Sequence, residues 1–269
     1  MIEYRSVAKT FAGGTEAVRD FSLMLASHST TVFVGSSGCG KTTLLRMLNR
    51  MVEPTRGQVL IDDVDVATRN PVALRRSIGY VMQHAGLLPH RTVVDNVATP
   101  LRLGGVGRRD ARARAMAALE KVGLDPVLCG RYPGQLSGGQ QQRVGVARGL
   151  VGDPNVLLMD EPFGAVDPIV RAELQHELLR LQRELGKTIV FVTHDIEEAF
   201  LLGDQVVILR KGAEIAQVGT PAEILAAPAD DFVRSFVGLD RGRRTLRIEE
   251  VDGQKVVVDA DGRAAGVLA

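Results

Sequence analysis

The sequence predicts an α/β fold built on a mostly parallel β-sheet, because short apolar strands alternate with amphipathic helices along the chain. Buried strands are predicted at three runs rich in β-branched and other apolar residues, Thr31–Gly35, Val156–Met159 and Thr188–Val192. Helical spacing of apolar residues marks Lys41–Met51, after the first strand, and Val170–Leu185, between the other two. Parallel strands need such crossovers, so the helices should cover the sheet.

Composition and charge are those of an ordinary globular chain. The 269 residues are 45% hydrophobic and 24% charged, which is enough to bury the core of one large domain. The formal net charge of +1 indicates neither nucleic acid nor an acidic surface as a partner. Cys39 and Cys129 lack metal-ligand spacing, so both are expected to be reduced thiols. Neither a secretory signal nor an apolar run of roughly 20 residues occurs, which favours a cytoplasmic chain.

The junction between the first strand and the first helix carries the strongest chemical signal. Residues Gly35–Thr42 (GSSGCGKT) match the phosphate-loop pattern G-x-x-x-x-G-K-[ST]. Such glycines let backbone N–H groups turn towards phosphate oxygens, with the positive end of the helix dipole behind them. Lys41 would neutralise β- and γ-phosphate charge, and the Thr42 hydroxyl would ligate Mg²⁺. The nucleotide-binding residues predicted here are Gly35, Ser36, Ser37, Gly38, Cys39, Gly40, Lys41, Thr42 and Thr43.

The next predicted strand ends in two adjacent acids, Asp160 and Glu161. An apolar strand delivers both to the carboxyl edge of the sheet, where ligands of α/β proteins bind. Asp160 is suited to hold Mg²⁺ through its water shell, and Glu161 to orient or deprotonate an attacking water. Alone, the pattern would equally fit the solvated end of a strand. The upstream phosphate loop favours nucleotide hydrolysis.

Between these motifs, residues Arg108–Val122 form an alanine-rich segment of helical pattern, which predicts part of a helical lobe. Arginines crowd its N-terminal end, but no aromatic residues are interleaved to stack on bases. We therefore interpret the charge run as a solvated helix face and expect no nucleic-acid partner.

The segment that distinguishes among phosphate-loop proteins is Leu136–Gln140 (LSGGQ), which resembles the signature of ABC ATPases. The other motifs of that family follow in the right order, and the resemblance covers roughly residues 1–235. It implies a P-loop NTPase with a RecA-like core, an antiparallel β edge and an α-helical subdomain inserted at about residues 85–150. The expected ATPase domain spans residues 1–240.

The signature opens a predicted helix, so its hydroxyl and backbone amides can bind a γ-phosphate as the phosphate loop does. The chain would then carry two anion sites for one nucleotide. In the family this implies a head-to-tail dimer, in which the signature of one copy closes over ATP held by the other. The residues expected to contact ATP in trans are Ser137, Gly138, Gly139 and Gln140.

Four further positions take roles from the resemblance. Gln83 corresponds to the glutamine that reaches Mg²⁺ and the attacking water, and His194 to the histidine that contacts the γ-phosphate and supports the catalytic carboxylate. Asp167 matches the D-loop that communicates across the dimer, with Val166 where many relatives carry leucine. Phe11 resembles the aromatic residue that stacks on adenine, although core packing would also explain it. No guanine-reading Asn-Lys-x-Asp motif occurs, so ATP is expected rather than GTP.

The resemblance extends to transport. Segment His84–Val93 resembles the region of import ATPases that receives a permease coupling helix, and its Leu87 and Leu88 form either a docking patch or local core. Three segments, Arg131–Arg148, Phe163–Ile169 and Phe236–Arg241, look like the branch that imports quaternary amines, such as glycine betaine, carnitine or choline, and proline. A polar amino-acid or other small-solute importer is the nearest alternative. A soluble ABC ATPase that acts on nucleic acid or ribosomes is a further one.

The assembly implied by this resemblance contains ATP, Mg²⁺, a second copy of the chain and integral-membrane permease subunits. A substrate-binding protein would take part indirectly. The expected location is the cytoplasmic face of the cell membrane, where the permease would hold the chain as a peripheral subunit.

From residue 241 onward the sequence changes character and predicts a small β appendage, residues 241–269. Alternating apolar residues are separated by turns at Asp252-Gly253 and Asp261-Gly262. Segment Lys255–Leu268 resembles the strand-turn-strand core of a CBS regulatory module, but too few residues follow to complete one. We interpret the segment as an appendage of its own, with a truncated CBS-like remnant as one origin.

Overall fold

The computed structural model describes residues 1–164, 166–241, 246–251, 254–258 and 264–267. It confirms the predicted α/β fold, since a mostly parallel sheet lies at its centre with helices on both faces. Within the described ranges no helix is both long and apolar enough to cross a membrane.

The elements are numbered in chain order. The strands are β1 (Ile2–Thr10), β2 (Glu16–Leu25), β3 (Thr30–Gly35), β4 (Arg56–Ile61), β5 (Val64–Asp65), β6 (Ile78–Val81), β7 (Val156–Asp160), β8 (Thr188–Thr193), β9 (Gln205–Arg210), β10 (Glu214–Gly219), β11 (Arg247–Val251), β12 (Gln254–Val258) and β13 (Ala264–Val267). The α-helices are α1 (Lys41–Leu48), α2 (Pro71–Ser77), α3 (Val93–Leu103), α4 (Arg108–Lys121), α5 (Gly138–Leu150), α6 (Pro168–Leu185), α7 (Ile196–Leu202), α8 (Pro221–Ala226) and α9 (Asp231–Phe236).

The central sheet has six strands in the order β10-β9-β3-β8-β7-β6. Strands β9, β3, β8, β7 and β6 are parallel, and β10 pairs antiparallel with β9 at one edge. Every residue of β3, β7 and β8 is buried, as expected for strands covered on both faces. The three predicted strands are therefore neighbours at the middle of this sheet.

A second sheet, in the order β2-β1-β4-β5, is wholly antiparallel. It packs over one face of the central sheet through an aromatic cluster of Tyr4, Phe21 and Phe33, in which the Tyr4 and Phe21 rings meet edge to face at 5.1 Å. The buried Tyr4 hydroxyl donates to the Leu44 carbonyl of α1 at 2.9 Å. This contact fixes the antiparallel sheet against the first helix.

Helices α3, α4 and α5 pack on one another and lie between β6 and β7 in the chain. Helix α3 begins at Val93, directly after Thr92, whose hydroxyl caps it by accepting from Asp95 N–H. The buried face of α4 consists of Ala111, Ala115 and Ala118 together with Leu119. These three helices contact one another, while the helical lobe and its assignment as a subdomain inserted at about residues 85–150 remain expectations.

Helix α1 ends at Leu48, earlier than the predicted Met51, because Asn49 and Arg50 leave helical geometry and Arg50 has φ of +55°.

Beyond the central core, β11, β12 and β13 form a three-stranded antiparallel sheet. The turns expected at 252–253 and 261–262 lie outside the described residues, and residues 241–269 as a separate appendage remain a prediction.

Candidate functional site

The phosphate loop, the two acids and His194 converge at the carboxyl edge of the central sheet, whereas the signature residues, Asp167 and Phe11 lie on other elements. Neighbouring strands β3, β8 and β7 end there and deliver, respectively, the phosphate loop, His194 and the acids Asp160 and Glu161. Side chains that follow parallel strands meet at one edge because the strands run in the same direction.

Close backbone contacts explain the glycines of the phosphate loop. A Cβ on Gly35 would lie 2.4 Å from the Leu209 carbonyl oxygen, and one on Gly40 would lie 2.5 Å from the Ala17 carbonyl oxygen. Gly40 also has φ of +116° and Gly38 φ of +74°, which L side chains rarely adopt. The two ends of the loop therefore pack tightly against the backbone of neighbouring segments, and its tip is exposed to solvent.

The Lys41 ammonium lies within this loop. It donates to the carbonyls of Gly35 at 2.7 Å and Ser36 at 3.0 Å, and the residue is 4% exposed. Cys39 is buried beneath the loop, where its carbonyl accepts from Ala213 N–H at 2.7 Å. Cys39 thus contributes backbone and packing to the loop, whereas Ser36, Ser37 and Gly38 are exposed at its tip and Thr43 is half-buried.

An oxygen pair lies beside the phosphate loop. The Thr42 hydroxyl, at the start of α1, donates to Asp160 Oδ1 at 2.8 Å, and Asp160 is 7% exposed. A hydroxyl and a carboxylate side by side are hard oxygen donors of the kind that Mg²⁺ takes alongside phosphate oxygens and water. The residues present therefore fit this ion.

Two side chains that were not predicted from the sequence bind the other oxygen of Asp160. The Tyr80 hydroxyl donates to Asp160 Oδ2 at 3.1 Å, and the Arg46 guanidinium lies 3.3 Å from the same oxygen. Burial raises the pKa of Tyr80, so its hydroxyl stays protonated and able to donate. Arg46 follows Thr42 by four residues, a spacing that puts both on one helix face and that could have indicated it.

Glu161 and His194 form a second pair at this edge. Glu161 Oε2 lies 3.0 Å from His194 Nδ1, and the Glu161 N–H donates to the Val192 carbonyl at 2.9 Å. Glu161 has φ of +45°, a strained value for a residue with a side chain. The Glu161 side chain is 20% exposed and that of His194 is 59% exposed. The carboxylate is thus fixed in place while the imidazole remains open to solvent.

Gln83 reaches the same region from the loop after β6. A Cβ built on Gly164 would lie 3.5 Å from Gln83 Nε2 and 3.9 Å from Glu161 Oε2. The amide of Gln83 and the carboxylate of Glu161 therefore both border Gly164. The structure brings together all three residues predicted to be catalytic, Gln83, Glu161 and His194.

The signature residues form the start of α5. Ser137 is its N-cap, with its hydroxyl accepting from Gln140 N–H at 3.3 Å and Gln140 Oε1 accepting from Ser137 N–H at 3.0 Å. Gly138 is exposed, whereas a Cβ on Gly139 would lie 2.3 Å from Val170 Cγ1 on α6. The signature thus packs against the start of α6.

Asp167 caps α6, and its Oδ1 accepts from Val170 N–H at 3.1 Å. Both Ser137 and Asp167 are exposed at these helix starts. The signature and the D-loop candidate therefore form one surface, built from the N-terminal turns of two packed helices.

Phe11 lies at the turn between β1 and β2, and it is 43% exposed. The Lys9 ammonium sits 5.3 Å from its ring centroid. Phe11 is therefore a partly exposed residue and not a buried part of the core, and its stacking on adenine stays a prediction. Leu87 and Leu88 are half-buried, with Leu87 packed against the main core.

The strand-loop-helix phosphate loop, the paired acids and the signature at a helix start together define an ATP-binding cassette. A solved dimeric ATP-binding cassette in a post-hydrolysis state with ADP and Pi has a TM-score of 0.75 and 33% identity to this chain. The similarity covers 82% of this chain and 99% of that one.

The chain belongs to the ABC transporter family, whose model matches residues 18–164. A carnitine transport ATP-binding protein of Listeria monocytogenes, OpuCA, is 49% identical over 241 residues, which are 90% of this chain and 60% of that protein. A choline transport ATP-binding protein of Bacillus subtilis, OpuBA, is 48% identical over 267 residues, which are 97% of this chain and 70% of that protein. The chain thus spans about 60% of the length of the first relative.

Proposed function

We propose that this chain is the ATP-hydrolysing subunit of an ABC importer that takes up osmoprotectants, either quaternary amines such as glycine betaine, carnitine and choline, or proline. The observation that carries the ATPase proposal is the Glu161–His194 pair at 3.0 Å, next to Thr42 and Asp160 on the edge that bears the phosphate loop. The carnitine and choline transport relatives support the class of solute.

In this proposal the phosphate loop and Lys41 bind the phosphates, and Phe11 stacks on adenine. Glu161 accepts the proton of the attacking water, His194 holds that carboxylate in position and contacts the γ-phosphate, and Gln83 orients the water. The hydrogen bond between Glu161 and His194 supports the roles given to these two residues, because it holds the Glu161 carboxylate next to the imidazole.

Thr42 and Asp160 would hold Mg²⁺ with ATP, and the Gln83 amide oxygen would complete the protein's contribution. The ion supplies charge neutralisation on the phosphate oxygens when bound. Asp160 is anchored for this purpose by Tyr80 and Arg46, which bind the oxygen that does not face Thr42.

The proposed active unit is a head-to-tail dimer. The N-terminal turn of α5, which is exposed at Ser137 and Gly138, would bind a γ-phosphate through Ser137 and the Gly138 and Gly139 amides, with Gln140 closing the turn. Asp167 lies on the same exposed surface and would communicate closure of the dimer from one copy to the other. The dimeric cassette that resembles this chain supports the arrangement.

The proposed partners are integral-membrane permease subunits, with a substrate-binding protein acting through them, at the cytoplasmic face of the membrane. The proposed ATPase domain is residues 1–240, and residues 241–269 form the β appendage. The half-buried Leu87 and Leu88 sit in the segment proposed to receive the permease.

The first test is Glu161→Gln, which keeps the size of the side chain and removes its basicity. We expect at least a roughly 100-fold loss of ATP turnover, with ATP binding retained and an ATP-dependent dimer that persists. Glu120→Gln, on the exposed face of α4, is the matched control. Wild-type turnover in Glu161→Gln would mean that another group activates the water.

The solute is tested in proteoliposomes that hold the chain with its permease and binding protein. Uptake of labelled glycine betaine, carnitine, choline and proline is compared with uptake of polar amino acids such as histidine. ATP-dependent uptake of a polar amino acid alone would replace the osmoprotectant assignment with the alternative importer. ATPase activity with no membrane partner in a pull-down would favour the soluble ABC ATPase.

A further inference from the structure

Helices α6 and α7 both begin at turns of the proposed site and are connected by a buried hydrogen bond. Helix α6 is capped by Asp167, and α7 is capped by Asp195, the residue after His194. Gln175 Nε2 on α6 donates to Glu198 Oε1 on α7 at 2.9 Å. This hydrogen bond links the body of the helix that starts in the D-loop candidate to the helix that follows the histidine.

The Gln175–Glu198 pair is buried, with exposures of 8% and 5%. Burial raises the pKa of the Glu198 carboxyl, while hydrogen bonds from Thr193 and Gln175 oppose that rise. Thr193 directly precedes His194, and its hydroxyl oxygen also accepts from Asp195 N–H at 3.0 Å. The buried carboxylate is therefore bonded to the strand end that carries His194.

Arg171 makes a second connection one helical turn nearer the D-loop. Its Nη1 lies 3.7 Å from Asp195 Oδ2, and its Nη2 lies 3.5 Å from the Val166 carbonyl oxygen. Arg171 and Gln175 are four residues apart and share a face of α6. The two Arg171 contacts therefore connect the turn before Asp167 with Asp195, in the turn after His194.

We propose that Gln175 and Glu198 are positioning residues that set the place of His194 relative to Asp167, so that movement of the Asp167 turn is passed to the Glu161–His194 pair of the same chain. The inference rests on the proposed function, in which Asp167 lies at the dimer interface. Burying a carboxylate costs desolvation free energy, and a pair of apolar side chains would hold the two helices together without that cost. A hydrogen bond is directional, so it fixes the position of one helix along the other. A fixed relative position is needed if movement of one helix is to move the other.

The test compares three variants of the full chain. Gln175→Glu places two carboxylates at the contact, and Gln175→Glu/Glu198→Gln restores one carboxylate and one amide with their places exchanged. Gln175→Leu/Glu198→Leu keeps an apolar, packed contact with no hydrogen bond and guards against loss of folding. The readouts are kcat, KM and Hill coefficient for ATP, binding of a fluorescent ATP analogue, and melting temperature.

We expect Gln175→Glu and the double-leucine variant to lose at least roughly tenfold in kcat and to lose cooperativity, with analogue binding changed less than about twofold. The exchanged pair should recover kcat to within about threefold of wild type. A folded double-leucine variant with wild-type kcat and Hill coefficient would overturn the inference, and so would an exchanged pair as slow as Gln175→Glu. A wild-type chain that hydrolyses ATP as a monomer, seen by sedimentation, would instead overturn the proposed dimer and this inference with it.

Discussion

The Glu161 carboxylate lies 3.0 Å from the His194 imidazole, and Glu161 takes this position from a left-handed backbone with φ of +45°. A non-glycine residue in that region costs of order 1 kcal/mol or more, which surrounding structure must offset. The Glu161 N–H contributes to that offset by donating to Val192 in the neighbouring strand. The strain and the histidine contact both fix the direction of the carboxylate.

His194→Ala tests the contribution of this contact. Without the imidazole, the Glu161 side chain loses the partner that orients it, so we expect kcat for ATP hydrolysis to fall by about 10²- to 10³-fold. Binding of ATP should weaken far less than kcat, because only the His194 contact to the γ-phosphate is lost while Lys41 and the phosphate loop are untouched. His176→Ala, an exposed histidine on α6, is the control. Equal kcat values in the two variants would contradict the supporting role.

Tyr80→Phe tests the anchoring of Asp160. The substitution removes the hydroxyl that donates to Asp160 Oδ2 at 3.1 Å and leaves the ring in place. A less firmly held carboxylate should bind the metal more weakly, so we expect the Mg²⁺ concentration for half-maximal ATPase activity to rise about threefold to tenfold. Tyr132→Phe, which alters an exposed tyrosine, should leave the Mg²⁺ dependence unchanged. An unchanged Mg²⁺ titration in Tyr80→Phe would show that Arg46 alone suffices.

Tyr4→Phe tests how a buried phenol makes stability depend on pH. Burial raises the pKa of Tyr4 well above its ordinary value of about 10. The native state therefore favours the protonated phenol, and this stabilisation is complete below about pH 10 and is lost as the pH rises towards the raised pKa.

For wild type we expect the free energy of unfolding to fall above pH 10 by up to about 1.4 kcal/mol per pH unit from this group. Tyr4→Phe should cost about 1 kcal/mol at neutral pH, through loss of the bond to Leu44, and should make the alkaline fall shallower. Urea unfolding between pH 8 and 11 measures both effects. Parallel alkaline curves for wild type and Tyr4→Phe would show that Tyr4 is not responsible.

The parts of the site that are local in sequence could be predicted from it. The phosphate loop and the Asp160–Glu161 pair lie directly at strand ends, so a buried strand followed by the right residues is enough to place them. The pairing of Glu161 with His194 needed the family resemblance, since nothing in the sequence specifies that β7 and β8 are neighbours.

The missed residues depend on sheet order and side-chain direction. Tyr80 reaches Asp160 because β6 pairs with β7, which places Tyr80 opposite Leu158. The buried bond between Gln175 and Glu198 depends on the packing of α6 against α7, and in the sequence both look like surface residues of a helix. Such contacts come from tertiary structure and leave no local pattern.

Mixing two inactive variants tests whether the signature acts in trans. Lys41→Ala removes the ammonium from the phosphate loop, and Ser137→Arg places a bulky cation at the exposed start of α5. In a head-to-tail dimer of one copy of each, both changes fall in the same composite site. The other site then has an intact loop and an intact signature.

Each variant alone should be inactive, and an equal mixture should recover up to roughly a quarter of wild-type turnover, since half the dimers are mixed and each keeps one of two sites. Turnover is measured as phosphate release after the subunits have exchanged. Mixing either variant with a Lys41→Ala/Ser137→Arg chain should recover nothing and is the control. If the mixture stays inactive while crosslinking demonstrates mixed dimers, then either both sites must work together or the signature serves the phosphate loop of its own chain. A purified mixed dimer of wild type with the double variant separates these cases. In the trans arrangement each of its two sites carries one change, whereas in the cis arrangement the wild-type chain keeps an intact site. Turnover there with none in the first mixture supports action in cis and removes the trans arrangement.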